Sequence, residues 1–131
     1  MLDHISLGIS NLTRARRFYD AALKPLGYRM VWPIAGYGYG YGYGAVAGEP
    51  KFWIGLPLAK RRKPKASAGS HVAFQAPSRK AVDAFYKAAM RSGGEDNGKP
   101  GIREDYTQPY YAAFVVDPSG YRLEAYCNKK A

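Results

Sequence analysis

Two short stretches of sequence decide the fold: HISLGI at residues 4–9 and HVAFQA at residues 71–76. Both begin with histidine, and in both the apolar residues alternate with polar or small ones. This period of two is typical of a β-strand with one buried face. The 67-residue shift that places His4 on His71 also places Phe18 on Phe85 and Gly27 on Gly94. The chain therefore contains an internal repeat whose unit begins with a strand.

A helical pattern follows each of these strands. In the first copy the apolar residues of 14–23 recur at helical spacing, Thr13 is the expected N-cap in a cap region of residues 11–13, and Pro25 and Gly27 end the helix. In the second copy Ser78 is the expected N-cap, and the two glycines at 93–94 are the stop signal. Each unit thus reads as strand, helix, turn.

The remainder of each unit reads as strands. Residues 110–116 and 121–127 flank a tight turn at 117–120, and residues 51–56 form the corresponding last strand of the first copy. Residues 36–44 alternate glycine with tyrosine; a strand with every tyrosine on one face and a flexible loop are equally compatible with this pattern. The sequence predicts a single α+β domain, with module one at 1–57, a polar linker at 58–69 and module two at 70–131.

Composition limits the classes of function. The chain has 131 residues, one cysteine and a net charge of +10, so an internal disulfide is excluded and anions are attracted. No signal peptide or membrane-spanning stretch is recognisable, so we expect a cytoplasmic protein with no membrane partner. The basic run at 60–65 reads as a solvated linker and not as a specific nucleic-acid site, because no recognised nucleic-acid-binding motif accompanies it.

Three side chains are candidates for a metal site. His4 and His71 lie opposite the apolar face of their strands, and Glu124 lies opposite the apolar face of the last strand. The alternative for each histidine is a half-exposed surface residue. If the sheet curves, two imidazoles and one carboxylate converge in a pocket. Such a set leaves coordination positions open on a divalent metal, as catalytic sites do.

The sequence resembles the vicinal oxygen chelate superfamily, which includes glyoxalase I, bleomycin resistance proteins, fosfomycin resistance thiol transferases and extradiol dioxygenases. The resemblance is carried by DHISLGI at 3–9, HVAF at 71–74 and DPSGYRLE at 117–124. Residues 96–114 resemble a bacterial glyoxalase-like subgroup. The resemblance implies two tandem βαβββ modules that form a curved mixed β-sheet around a pocket, with the metal ligands at His4, His71 and Glu124. It also implies a homodimer, in which a pocket is sometimes completed by both chains.

One ligand position departs from glyoxalase I. Its fourth ligand, a carboxylate that also transfers the proton, corresponds here to Trp53, which cannot bind a metal. The leading interpretation is therefore a metal-dependent enzyme of lyase, isomerase or transferase type, using Zn, Mn, Ni or Fe on a small oxygen-chelating substrate. The alternative is a metal-free binding protein of the bleomycin resistance type, although a basic protein suits anions better than cationic drugs. A basic nucleic-acid-associated module is the third possibility.

Further side chains are candidates for substrate chemistry. A tyrosine can orient or protonate a bound oxygen, and Tyr106 is the candidate for that catalytic role. The alternative for Tyr106, as for Tyr110, is an aromatic side chain that fills a wall of the pocket. An arginine can bind a carboxylate or phosphate, although Arg122 shares the face of Glu124 and could pair with it instead. The predicted substrate-binding residues are Trp53, Arg103, Tyr110, Arg122 and Tyr126.

Overall fold

The computed structural model describes residues 1–34, 40–44, 50–56, 64–105 and 109–130. Module one consists of a strand, a helix with a short 3₁₀ turn, and three further strands. Module two repeats this order without the 3₁₀ turn. The elements of module one are β1 (Ile5–Gly8), α1 (Leu12–Leu23), a 3₁₀ helix (Lys24–Leu26), β2 (Arg29–Ile34), β3 (Gly40–Gly44) and β4 (Phe52–Gly55). Those of module two are β5 (Val72–Gln75), α2 (Arg79–Arg91), β6 (Glu95–Ile102), β7 (Tyr111–Val116) and β8 (Arg122–Cys127).

Each module forms one four-stranded mixed sheet. The strand orders are β1-β4-β3-β2 and β5-β8-β7-β6, so the first strand of each module lies parallel to the last, and the other neighbours are antiparallel. This is the expected pair of βαβββ modules. The Gly-Tyr stretch is a strand over its second half, where Tyr43 is buried and pairs with Phe52, and the rest of it lies outside the described residues.

Both helices begin with a side-chain cap. Ser78 accepts a hydrogen bond from the backbone of Ala81 at 3.1 Å, as the sequence predicts. The cap of α1 was assigned to Thr13, and this prediction is wrong: Asn11 Oδ1 accepts from the backbone N–H of Arg14 at 2.9 Å, so the helix begins at Leu12. Asparagine and threonine are both good caps, so residue type alone does not decide between them.

The two modules share one core. Helices α1 and α2 contact each other, and apolar side chains from both helices and both sheets form a single cluster. Phe52 of module one packs edge-on against Phe74 of module two at 5.1 Å between ring centroids. The helices therefore cover one face of each sheet. The opposite face of each sheet, here called the helix-free face, carries the candidate site residues.

Polar contacts also join the modules. The hydroxyl of Tyr19 on α1 donates to the buried carboxylate of Asp117 in the β7–β8 turn. Tyr121 donates to the backbone carbonyl of Gly8 at 2.5 Å, and Arg14 donates to the carbonyl of Pro118 at 3.3 Å. These contacts attach the last hairpin of module two to module one and fix where β8, which carries Glu124, lies.

Candidate functional site

Glu124 is the centre of the candidate site. It lies on β8 between Leu123 and Ala125, which are buried in the core, so its side chain emerges on the helix-free face of the module two sheet. Ala73 of β5 and Phe114 of β7 are its cross-strand neighbours. The residue is only 3% exposed. A buried carboxylate requires hydrogen-bond partners, and this one has them.

Both oxygens of the Glu124 carboxylate are engaged. Oε2 lies 3.1 Å from Nε2 of His71, and Oε1 accepts a hydrogen bond from the hydroxyl of Tyr110. The Tyr110 ring is stacked on that of Tyr126, with centroids 5.1 Å apart and planes 6° from parallel. Two predicted substrate-binding tyrosines thus form a platform that positions the carboxylate. Sequence reasoning placed both tyrosines near the pocket but missed this bond.

The spacing of His71 and Glu124 is compatible with a hydrogen bond between them and also with shared coordination of one divalent cation. Two donor atoms that each lie about 2.1 Å from a cation, at right angles, are about 3.0 Å apart. The separation of Nε2 and Oε2 is 3.1 Å. The His71 side chain is 51% exposed and that of Glu124 is 4% exposed, so solvent reaches the pair from the histidine side. Tyr110 would hold the second oxygen of the carboxylate, as groups outside the ligand set of metal sites commonly do.

The third predicted ligand lies elsewhere in the chain. His4 immediately precedes β1 on the sheet of module one, and its Nδ1 lies 2.6 Å from Oδ1 of the exposed Asp3. Among the residues that the structure describes, no three histidine, cysteine, aspartate or glutamate side chains come together as a metal site. A single chain therefore brings together two of the three predicted ligands.

Trp53 belongs to the same sheet as His4. It lies on β4 between the buried Phe52 and Ile54, which places it on the helix-free face of module one. Its cross-strand neighbours are Ser6 and Gly42, so no large side chain flanks it in the register. Trp53 and Glu124 are thus on the helix-free faces of different sheets.

Two arginines lie on the sheet of Glu124, and neither neutralises it. Arg122 donates through Nη1 to the backbone carbonyl of Ala68, so the considered pairing of Arg122 with Glu124 is not formed. Arg103 follows β6 and stacks over Phe114. Tyr106, the predicted catalytic acid, lies outside the described residues.

The fold and site together define a class: a small α+β protein of two βαβββ modules, each with a helix-free sheet face that carries metal-ligand residue types. The family model described as Glyoxalase/Bleomycin resistance protein/Dioxygenase superfamily matches residues 1–125. The chain belongs to this superfamily, as the sequence resemblance implied. Comparison with curated protein sequences gives no match.

Solved structures give the same result for the fold. A glyoxalase/bleomycin resistance protein from Albidiferax ferrireducens T118 is 28% identical with a TM-score of 0.80, over 96% of this chain and 97% of that one. A family enzyme from Burkholderia phytofirmans PsJN is 15% identical with a TM-score of 0.72, over 98% of both chains. Glyoxalase I from Zea mays is 21% identical with a TM-score of 0.66, and the match covers 96% of this chain but 45% of that one. The last two similarities concern the fold alone. No helix in the described ranges has the length and apolar character needed to cross a membrane.

Proposed function

We propose that this protein is a divalent-metal-dependent enzyme that acts on a small oxygen-chelating substrate at the helix-free face of module two. The observation that supports this most is the buried Glu124, positioned by Tyr110 with its other oxygen 3.1 Å from His71 Nε2. A cation bound between these two atoms would supply Lewis-acid chemistry at a substrate oxygen. His71, Glu124 and His4 would be its protein ligands, and Zn, Mn, Ni and Fe are the candidate ions.

The third ligand is proposed to come from a second copy of the chain. His4 and the His71–Glu124 pair are on different sheets, and the helices occupy the other face of each sheet. A symmetric homodimer would allow the helix-free face of module one in one protomer to cover that of module two in its partner. His4 and Trp53 would then approach His71 and Glu124 across the interface, and Trp53 would help to exclude water.

The proposed roles of Tyr110 and Tyr126 follow from their contacts, and that of Tyr106 follows from the sequence alone. Tyr110 positions Glu124 through its hydroxyl, and Tyr126 supports the Tyr110 ring by stacking. Tyr106 is proposed as the residue that delivers or removes a proton at the substrate. We further propose a cytoplasmic protein, with its single cysteine buried as a free thiol, that binds nucleic acid only non-specifically.

One observation favours a second candidate, a metal-free small-molecule-binding protein of the bleomycin resistance type. Both oxygens of Glu124 have protein partners, so the buried carboxylate is satisfied without a cation. In that case the two stacked tyrosines would serve as a flat binding surface and His71 as a hydrogen-bonding group.

Calorimetric titration of untagged protein with Mn²⁺, Fe²⁺, Ni²⁺ and Zn²⁺ separates the two candidates. We expect the wild type to bind at least one of these ions and His71→Ala to lose binding. Lys87→Met, which removes a charge from the outer surface of α2, is the matched control. Absence of binding by the wild type, or equal binding by His71→Ala, would overturn the metalloenzyme proposal and leave the metal-free candidate.

A mixing experiment tests the shared site. His4→Ala and Glu124→Ala are each expected to lose binding when pure. If each site takes its ligands from both chains, a mixed dimer has one intact site out of two. Random exchange in an equal mixture makes about half of the dimers mixed, so the mixture should recover about a quarter of the wild-type metal-binding capacity. A monomer at micromolar concentration by sedimentation, or no recovery on mixing after verified exchange of chains, would contradict a shared site.

A further inference from the structure

Arg103 is held over the helix-free face of module two, and no ion pair joins it to an acidic group among the described residues. Its guanidinium carbon lies 5.2 Å from the centroid of the Phe114 ring. Its Nη2 donates to the backbone carbonyl of Lys99 at 2.5 Å and to that of Ala112 at 3.1 Å. Two carbonyls and one ring therefore fix the orientation of a charged group.

The charge of Arg103 has no counter-charge in the described part of the chain. None of the ion pairs there includes this residue. Its Nε is buried without a hydrogen-bond partner, and only Nη2 of the guanidinium has partners among the described residues. A partly buried cation that lacks both a counter-ion and a full set of acceptors is unfavourable. An anionic acceptor from outside the chain, bound at the guanidinium, would supply the missing counter-charge.

The position of Arg103 relates it directly to Glu124. Phe114, over which the guanidinium lies, is the cross-strand neighbour of Glu124. Gly98 of β6 is the cross-strand neighbour of Phe114 on the side away from Glu124. Its lack of a side chain leaves room for the Phe114 ring and the arginine, because a Cβ there would lie 3.0 Å from the Phe114 ring and 3.4 Å from Nη2 of Arg103. The arginine therefore shares one sheet face with the proposed metal-binding pair, with a single aromatic ring between them.

Arg122 adds a second cation to the same face. It lies two positions before Glu124 on β8, and its described partner is the carbonyl of Ala68. By register the helix-free face of module two thus carries these two arginines, the buried Glu124, and the exposed Glu95, which lies opposite Val116 at the far end of β6. Together with the net charge of +10, the two arginines favour an anion over a neutral or cationic ligand.

We propose that Arg103 is the binding group for an oxyanion, a carboxylate or a phosphate, on the small molecule that this site accepts. Nη1 offers N–H donors for charge-assisted hydrogen bonds to such a group. The inference deepens the proposed function by naming the substrate class, and its relation to a reaction rests on that function. Binding of the oxyanion itself needs no metal.

The test uses chelator-treated, metal-free protein, so that failure of oxyanion binding and failure of metal binding are distinguished. Inorganic phosphate and acetate are titrated in separate arms at constant ionic strength, and amide signals are followed by ¹H–¹⁵N correlation spectra. We expect saturable shifts at Gly98, Ala112 and Phe114 in at least one arm, and the arm that saturates identifies the class of oxyanion.

The variants decide whether Arg103 is responsible. Arg103→Met keeps an apolar contact with Phe114 and is expected to weaken binding about tenfold or more, because a charge-assisted hydrogen bond is lost. Lys87→Met removes the same charge elsewhere and is expected to bind as the wild type does. If Arg103→Met does not fold, Arg103→Lys keeps the charge without the guanidinium and is expected to bind more weakly than the wild type. Unchanged affinity in the folded Arg103 variants, or no saturable shift in the wild type in either arm, would overturn the proposal.

Discussion

Replacement of Tyr19 by phenylalanine tests the buried contact that holds the two modules together. Tyr19 is fully buried, and its hydroxyl donates to Asp117, which is 3% exposed. Burial raises the pKa of Asp117 above its usual value, although the hydrogen bonds that it accepts from Tyr19 and from the backbone of Tyr121 and Ser119 oppose this. Burial, and next to it the charge of Asp117, raise the pKa of Tyr19 well above 10.0, so its hydroxyl stays a donor.

The magnitude follows from the charge of the acceptor. A hydrogen bond to an ionised group contributes about 1.5–3 kcal/mol to the free energy of unfolding, and a neutral one about 0.5–1.5 kcal/mol. We therefore expect Tyr19→Phe to cost about 1.5–3 kcal/mol where Asp117 is ionised and about 0.5–1.5 kcal/mol where Asp117 is protonated, so the cost should fall as the pH is lowered.

The sign of the pH dependence in the wild type follows from the raised pKa of Asp117. The folded state holds this proton at a higher pH than the unfolded state does. The Asp117 contribution to stability is therefore greatest below the unfolded pKa of about 3.9 and decreases as pH rises through the folded value. Tyr19→Phe removes a hydrogen bond that lowers the pKa of Asp117, so the folded-state pKa of Asp117 rises further. The Asp117 contribution to stability therefore falls by more than in the wild type, and the fall extends to a higher pH.

Urea unfolding at several pH values between 4 and 7 measures both effects. Tyr28→Phe is the matched control, because Tyr28 is partly buried and packs on Phe74 at 5.8 Å between centroids, and its hydroxyl has no hydrogen bond among the described residues. We expect the control to lie within about 0.5 kcal/mol of the wild type at every pH. An equal cost for both variants, or a cost of Tyr19→Phe that does not change with pH, would refute the reasoning.

Three further substitutions test the core, the site and a close approach of the backbone. Phe74→Ala removes a core side chain and is expected to lower the free energy of unfolding by about 3–5 kcal/mol in urea titrations. Tyr110→Phe removes the hydroxyl that holds the buried glutamate but keeps the stack, so metal affinity in calorimetry should fall about 10–100-fold, while Tyr126→Phe should leave it unchanged. Gly94→Ala places a Cβ 2.8 Å from the carbonyl oxygen of Ala89, so it should destabilise the fold by about 1–3 kcal/mol in thermal or urea unfolding.

Much of the fold could be predicted from local patterns. The alternation at 71–76, the Ser78 cap and the glycines at 93–94 each act over a few residues, and each is confirmed. The sequence does not predict β2 or β6 from their own residues, although β6 is the longest strand that the structure describes. In β6 the sequence EDNGKPGI has no alternation, and its pairing with β7 is interrupted by two register shifts, so the partner strand stabilises it where its own residues do not.

The aligned glycines of the repeat illustrate the difference between local and tertiary causes. Gly27 has a φ of +87°, which a glycine adopts without strain, and the sequence signals this as a helix stop. Gly94 is required for another reason, because a Cβ there would lie 2.9 Å from the ring of Phe18 in the other module. One repeat position thus carries a local role in one copy and a packing role in the other.

The sequence by itself determined which side chains share a strand face, because the two-residue period of a strand fixes this before any packing occurs. That rule placed His71 and Glu124 on one face and put Cys127 in the core, where it is buried. Only the tertiary structure decided which faces meet. His4 obeys the same rule in module one as His71 does in module two, yet the described residues form no group of three ligands, because the modules pack together through the faces that the helices cover. A strand period carries no information about the distance between two sheets, and packing of the shared core sets that distance.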